Sequence, residues 1–151
     1  MQKKVFVTLV VLFSFLALTV LAYGQATPED AKAWVQKAKE FYKKQGKDKA
    51  LETFKDPKGE FVKEDLYIYV LDMDGKMLAH PKADLVGKDF MVVKDKKGKL
   101  FAKDMVKIAK ADGSGWVDYM WENPKTKEVD SKTVYFEKVD DVIIAAGAYK
   151  K

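Results

Sequence analysis

The spacing of hydrophobic positions along the chain switches period several times, and each switch predicts an element. Val5 to Ala22 is an unbroken apolar run. From Ala31 the apolar residues Ala31, Trp34, Val35, Ala38, Phe41 and Tyr42 recur at intervals of three and four while lysines take the opposite face, which predicts an amphipathic helix. Its start is marked by Thr27-Pro28-Glu29-Asp30. Thr27 serves as the cap, Pro28 suits the first helical position, and Asp30 stands where its carboxylate reaches back to the cap. The helix is predicted to run to Gln45 and end at Gly46, and a shorter one from Lys47 to Phe54 stops at the turn signal Asp56-Pro57-Lys58-Gly59.

From Leu66 the period becomes two. Tyr67, Tyr69 and Leu71 point one way and Ile68 and Val70 the other, with apolar residues on both sides, so this strand is expected to be central and covered on both faces. Asp72-Met73-Asp74-Gly75 predicts a hairpin turn, and Lys76 to His80 the returning strand. The Asp-x-Asp-Gly run resembles the opening of a calcium loop, but the twelfth position is Ala83 and not glutamate, so the hairpin is the better reading. Pro81 ends the second strand and fixes His80 at its tip. Leu85 to Phe90 reads as a lid-like connection, Asp95-Lys96-Lys97-Gly98 as a turn, and Leu100 to Ala111 as a helix closed by Asp112-Gly113. Trp116 to Tyr149 then holds three runs rich in aromatic and β-branched residues, split at 123–127 and 139–141, which predicts an antiparallel meander. The sum is an α+β fold: a five-stranded antiparallel sheet with a long N-terminal helix and a helix and lid between strands two and three.

At 151 residues and 48% hydrophobic, the chain supports one core and so one domain. Cysteine is absent, which removes disulfides, thiolate nucleophiles and c-type haem attachment. Every basic side chain is lysine, so the planar fork that grips carboxylates or guanine in pairs is missing. The formal charge of +5 falls by two without Lys3 and Lys4, and lysines alternate with acids along the chain. That is the pattern of a solvated surface and not of a nucleic-acid stripe. Lys3 and Lys4, the apolar run after them and the small residues at Ala22-Tyr23-Gly24 and Gly24-Gln25-Ala26 read as a signal peptide over residues 1–26, with 27–151 as the mature domain. An uncleaved anchor is the competing reading, because the run is just long enough to span a bilayer.

The runs Asp65 to Asp72, Asp74-Gly75, Leu78-Ala79-His80-Pro81 and Leu85-Val86-Gly87-Lys88-Asp89 resemble the front half of a single Cache domain of the second type. Gly115 to Trp121, Asn123-Pro124, Lys132, Tyr135 and Ala146-Gly147-Ala148-Tyr149 resemble its back half. The resemblance implies a PAS-like extracytoplasmic sensor domain, periplasmic or secreted, of the kind that serves chemoreceptors and histidine kinases. It also implies a small organic acid such as acetate, propionate or pyruvate as the typical ligand, and in some members an amino acid or amine. The sequence stops two residues after Tyr149, and is expected to be a free-standing sensor domain behind its leader.

An anion pocket needs a positive donor, neutral donors and apolar walls that keep the dielectric low. The resemblance assigns the positive donor to Lys132, which composition alone would leave as one more solvated lysine. His80, the one histidine, stands at the implied pocket rim with no second histidine or cysteine to build a metal site. Tyr119 and Trp121 share one strand face as candidate walls, and Tyr69 and Tyr135 are candidate phenolic donors. No nucleophile-base motif, phosphate-cradling loop or cofactor motif accompanies them, so recognition and not catalysis is expected. The alternative function is an accessory subunit of a membrane receptor or kinase, docking through the Trp34 to Tyr42 helix face.

Overall fold

The computed structural model describes residues 24–150, and most of the leader expectation lies outside them. Helix α1 spans Pro28–Gln45 and opens with the expected capping box. Asp30 donates its backbone N–H to the Thr27 hydroxyl at 3.1 Å, and the Asp30 carboxylate accepts the Thr27 N–H at 2.8 Å. Gly46, at φ 85°, ends α1 and starts α2, Lys47–Phe54. Six strands follow: β1 (Val62–Lys63), β2 (Leu66–Asp72), β3 (Met77–Ala79), β4 (Ser114–Glu122), β5 (Val129–Val139) and β6 (Val142–Lys150), with α3 (Phe101–Asp112) between β3 and β4. Two short 3-10 turns, Ala83–Leu85 and Phe90–Val92, lie in the connection ahead of α3.

All pairings are antiparallel, in the order β1-β2-β6-β5-β4, with β3 on the same edge of β2 as β1. The five expected strands are therefore present in a PAS-like arrangement, and the two-residue β1 is an addition too short for any periodicity to announce. The returning strand is shorter than expected, Met77–Ala79, and Lys76, whose carbonyl accepts the Asp72 N–H at 2.9 Å, forms an isolated bridge with Asp89 of the connection.

Strand alternation divides the interior into two layers. Leu66, Ile68 and Val70 of β2, with Tyr135, Ile144 and Ala146, pack on α1 and α2. Tyr67, Tyr69 and Leu71, with Val117, Tyr119, Val134, Phe136 and Ile143, pack on α3 and the connection. The expectation of a central strand covered on both faces is met. On α1, Val35, Ala38 and Tyr42 are buried against the first layer, and the Trp34 indole N–H donates to the Phe61 carbonyl at 3.0 Å. The helix face that the accessory-subunit reading required is thus already used by the core.

The connection is fastened to the hairpin. Gly87 N–H donates to Met77 O at 2.8 Å, Met77 N–H to Lys88 O at 2.9 Å, and Phe90 N–H to Gly75 O at 2.9 Å. Gly75 is required here: its φ is +83°, and a Cβ would stand 2.4 Å from Met91 Cγ. The turn is further shaped by the Asp72 carboxylate, which accepts the Asp74 and Lys76 N–H groups, each at 2.9 Å. Asp95 accepts from Lys97, Lys99 and Met120 N–H, anchoring the turn before α3 to edge strand β4. Phe90 and Phe101 are so held against the second face of the sheet.

Candidate ligand site

The second face carries an aromatic cluster. Tyr67, Tyr69, Met77, His80, Phe90, Phe101, Tyr119 and Trp121 enclose a cavity of about 10 Å³, room for one water at most. Phe101 of α3 stacks on Tyr119 with ring centroids 3.9 Å apart and planes 11° off parallel, and Trp121 meets Phe101 edge-on at 5.5 Å. Phe90 packs 6.1 Å from Trp121 and closes the remaining side.

Beside this cavity lies a fully buried lysine. Lys132 of β5 is 0% exposed, its Nζ donates to the Tyr67 hydroxyl at 2.9 Å, and the same atom sits 4.1, 5.0 and 5.6 Å from the ring centres of Tyr67, Tyr149 and Tyr69. The faces of these rings carry negative potential, which offsets part of the lost hydration. Among the described residues no carboxylate lies within ion-pairing distance of it. An ammonium in such a place is expensive unless something else meets it.

The neutral groups around Lys132 are also donors. His80 Nδ1 accepts the Lys82 N–H at 2.8 Å, so in the neutral ring the proton is on Nε2, which has no acceptor among the described residues. Burial, then the positive charges of Lys132 and Lys82, push the His80 pKa down to about 3, and the ring is neutral at pH 7. Tyr69 and Tyr119 share a hydrogen bond of 2.9 Å, and Tyr69 also donates to the Met105 thioether at 3.5 Å, a weak acceptor. Tyr67 lies 3.4 Å from the Tyr149 hydroxyl, which in turn donates to the Glu122 carbonyl at 2.8 Å. Burial raises the pKa of Tyr69, Tyr119 and Tyr149, so all three keep their protons. Among the described residues two ammonium protons and the His80 Nε2–H have no carboxylate acceptor, though Nε2 is not cut off from solvent, and a phenol proton is spent on sulfur.

Of the six residues singled out from sequence, the fold brings together Tyr69, His80, Tyr119, Trp121 and Lys132. Tyr135 is not among them. It points to the α1 side, where its hydroxyl donates to Glu137 Oε1 at 2.7 Å and its ring lies 4.9 Å from Trp116. The spacing already separates the two, since Lys132 and Tyr135 are an odd number of residues apart on one strand and must face opposite ways. Sequence reasoning left out Tyr149, Phe90, Phe101 and the site role of Tyr67. Parity with Tyr69 was a sufficient signal for Tyr67, whereas Tyr149 required the β5–β6 register that sets it opposite Lys132. A larger cleft, about 680 Å³, lies elsewhere, between the start of α1 and the β1–β2 and β4–β5 turns. Its lining carries more acids than lysines, so the cluster around the buried Lys132 is the better candidate for an anion.

Fold and cluster together make an α+β domain with a buried lysine–tyrosine cluster on one face of its sheet. Residues 21–151 match the Cache domain family model, and the chain belongs to that family. A structure described as the basis for carboxylic acid recognition by a Cache chemosensory domain is 27% identical, with a TM-score of 0.71 over 82% of this chain and 92% of that one. A periplasmic sensor domain of a chemotaxis protein is 25% identical, with a TM-score of 0.64 over 82% and 90%. A methyl-accepting chemotaxis protein of Vibrio parahaemolyticus, 21% identical, shares the fold with a TM-score of 0.69 over 80% and 86%. Among curated proteins, the methyl-accepting chemotaxis protein McpP of Pseudomonas putida is 32% identical over 88 residues, which are 56% of this chain and 16% of that receptor.

Proposed function

We propose that the protein is an exported sensor domain that binds a small organic acid through Lys132, His80, Tyr69 and Tyr119, with Trp121 as a wall. One observation carries this reading: a fully buried ammonium sits among unused neutral donors with no carboxylate of the protein to meet them. A carboxylate supplies the missing charge and two oxygens with lone pairs for those protons. The aromatic walls exclude water and so strengthen the ion pair. Tyr135 has no part in this site. The 27% identical Cache structure, whose description concerns carboxylic acids, supports the same ligand class.

The same inventory supports a reading of recognition over turnover. The histidine is held neutral with Nδ1 on a backbone N–H, and among the described residues no hydroxyl or carboxylate is hydrogen-bonded to it. Residues 1–26 act as an export signal in this reading, which places the domain in the periplasm or outside the cell. A membrane chemoreceptor or kinase would then be the partner that reads the occupied state.

Calorimetric titration of the purified protein with acetate, propionate, pyruvate and a set of small amines tests the proposal. At least one acid should give saturable heat, and Lys132→Ala should weaken it at least about a hundredfold, because the acid then loses its buried charge partner. Heat from amines alone, or equal affinity in the variant, would overturn it.

A further inference from the structure

Lys132 and Tyr67 are not on neighbouring strands. Lys132 is on β5 and Tyr67 on β2, with β6 between them, so the lysine stem must cross β6 to deliver its ammonium to the Tyr67 hydroxyl. The residue under that crossing is Gly147, in the interior of β6 and paired with Val134. A glycine inside a strand weakens it, lacking a side chain to pack and losing more freedom on folding, so its presence calls for a reason.

Backbone conformation is not that reason, since Gly147 is absent from the glycines of positive φ. Space is. A Cβ at 147 would stand 2.6 Å from Lys132 Cε, 3.0 Å from Lys132 Cγ and 2.6 Å from Val134 Cγ2. Two of the three contacts are with the lysine stem, and they fall along its length. On the same face of β6, two residues away, Ala145 carries a Cβ and is buried, so the face itself admits a side chain, and the crowding at 147 comes from Lys132 and from the cross-strand partner Val134.

We infer that Gly147 is a positioning residue for ligand binding: its missing side chain is the channel in which Lys132 lies flat across β6, and it sets where the ammonium meets the acid. The inference rests on Lys132 being the ligand's charge partner, and it deepens that reading by naming what aims the charge. With alanine at 147 the stem lifts off the sheet toward α3, and Nζ leaves the Tyr67 hydroxyl. The ammonium is then displaced within a site whose other donors, His80 and the Tyr69–Tyr119 pair, stay in place.

Two measurements test it, one of which needs no ligand. The first is a double-mutant cycle on thermal unfolding: Gly147→Ala measured alone, with Lys132→Ala and with Val134→Ala. Gly147→Ala should lower the melting temperature by several degrees, and the larger share of that loss should disappear in the Lys132→Ala background. Larger relief from Val134→Ala, or relief from neither, overturns the inference. If Gly147→Ala alone does not fold, recovery of folding in the Lys132→Ala double variant supports it, and failure of that double variant overturns it. The second measurement is titration with whichever of acetate, propionate or pyruvate the wild type binds. The folded Gly147→Ala or Gly147→Ala/Val134→Ala protein should bind at least tenfold more weakly, and unchanged affinity overturns the inference. Should the wild type bind none of these acids, the reading of Lys132 as an acid's partner fails, while the unfolding cycle still decides whether Gly147 makes room for it.

Discussion

His80 is the residue whose chemistry changes most between the unfolded chain and the fold. Its ordinary pKa of about 6.5 falls to about 3 in the buried site, so the folded state takes up fewer protons than the unfolded one between those values. The contribution to stability is complete above about pH 6.5 and is lost as pH falls through that window toward 3. At pH 5 the difference from neutral pH amounts to about 2 kcal/mol, from about 1.4 kcal/mol for each pH unit below the unfolded pKa. Asparagine at this position keeps an acceptor for the Lys82 N–H and does not titrate. The fall in melting temperature between pH 7 and pH 5 should therefore be shallower in His80→Asn than in the wild type. Equal slopes would show that the imidazole is free to protonate in the fold. The groups nearest the ring are Lys132, Lys82, Tyr67 and Tyr69, of which none is a carboxylate to favour the protonated ring.

At the scale of elements, the site depends on α3 being held at a fixed distance from the sheet. Phe101 stacks on Tyr119 and Met105 receives the Tyr69 hydroxyl, so a shift of α3 dismantles one wall and one hydrogen bond together. Asp95 provides much of that fixing. Its carboxylate takes three backbone N–H groups, two in its own turn and one on β4, while Lys99 Nζ donates to the Asp118 carbonyl on the same edge at 2.6 Å. Asp95→Ala should destabilise the protein by about 2 kcal/mol, because it removes hydrogen bonds to a buried ionised group and leaves their donors unmet. Equilibrium denaturation would measure this, and near-ultraviolet circular dichroism should report a loosened Phe101–Tyr119–Trp121 cluster. A loss below about 0.5 kcal/mol, the level of an ordinary surface substitution, would show that the turn does not hold α3.

For the whole molecule, the cavity of about 10 Å³ is far smaller than the several hundred Å³ usual for ligand pockets, so the proposed acid would enter only if the walls part. The sheet walls are pinned by ladder hydrogen bonds along β4, β5 and β6, and α3 by its packing. The connection is held by three backbone bonds between 75–77 and 87–90 and by the packing of Phe90, outside the long strand ladders of β4, β5 and β6. Opening there should show in hydrogen exchange. Without ligand, the amides of Met77, Gly87 and Phe90 should exchange faster than those in the middle of β5 and β6, and a saturating acid should slow them selectively. Uniform protection across the domain would mean that binding stabilises the fold as a unit, without a local door.

Much of this architecture was legible in the chain because it rests on local rules. The capping box, the end of α1 at Gly46, the two-sided burial of β2 and the hairpin at Asp72–Gly75 each follow from a few neighbouring residues and a period. The site was legible in part. Tyr119 with Trp121 is a matter of parity, Lys132 was picked out by its place in a family pattern, and Tyr135 was wrongly included although its odd spacing from Lys132 sets it on the other face.

What only the tertiary structure decided concerns groups brought together from distant parts of the chain. Strand order placed β6 between β5 and β2, and so made Gly147 the floor under a lysine that reaches Tyr67. The β5–β6 register set Tyr149 opposite Lys132, and the packing of α3 and the connection brought Phe101 and Phe90 over the tyrosines. The sequence by itself determined that these side chains exist on particular faces, because alternation along a strand is a property of the backbone. It did not determine that an ammonium would be enclosed with unused donors and no carboxylate. Burial and charge balance depend on what the rest of the fold leaves within a few ångströms, and that is set only when the layers close.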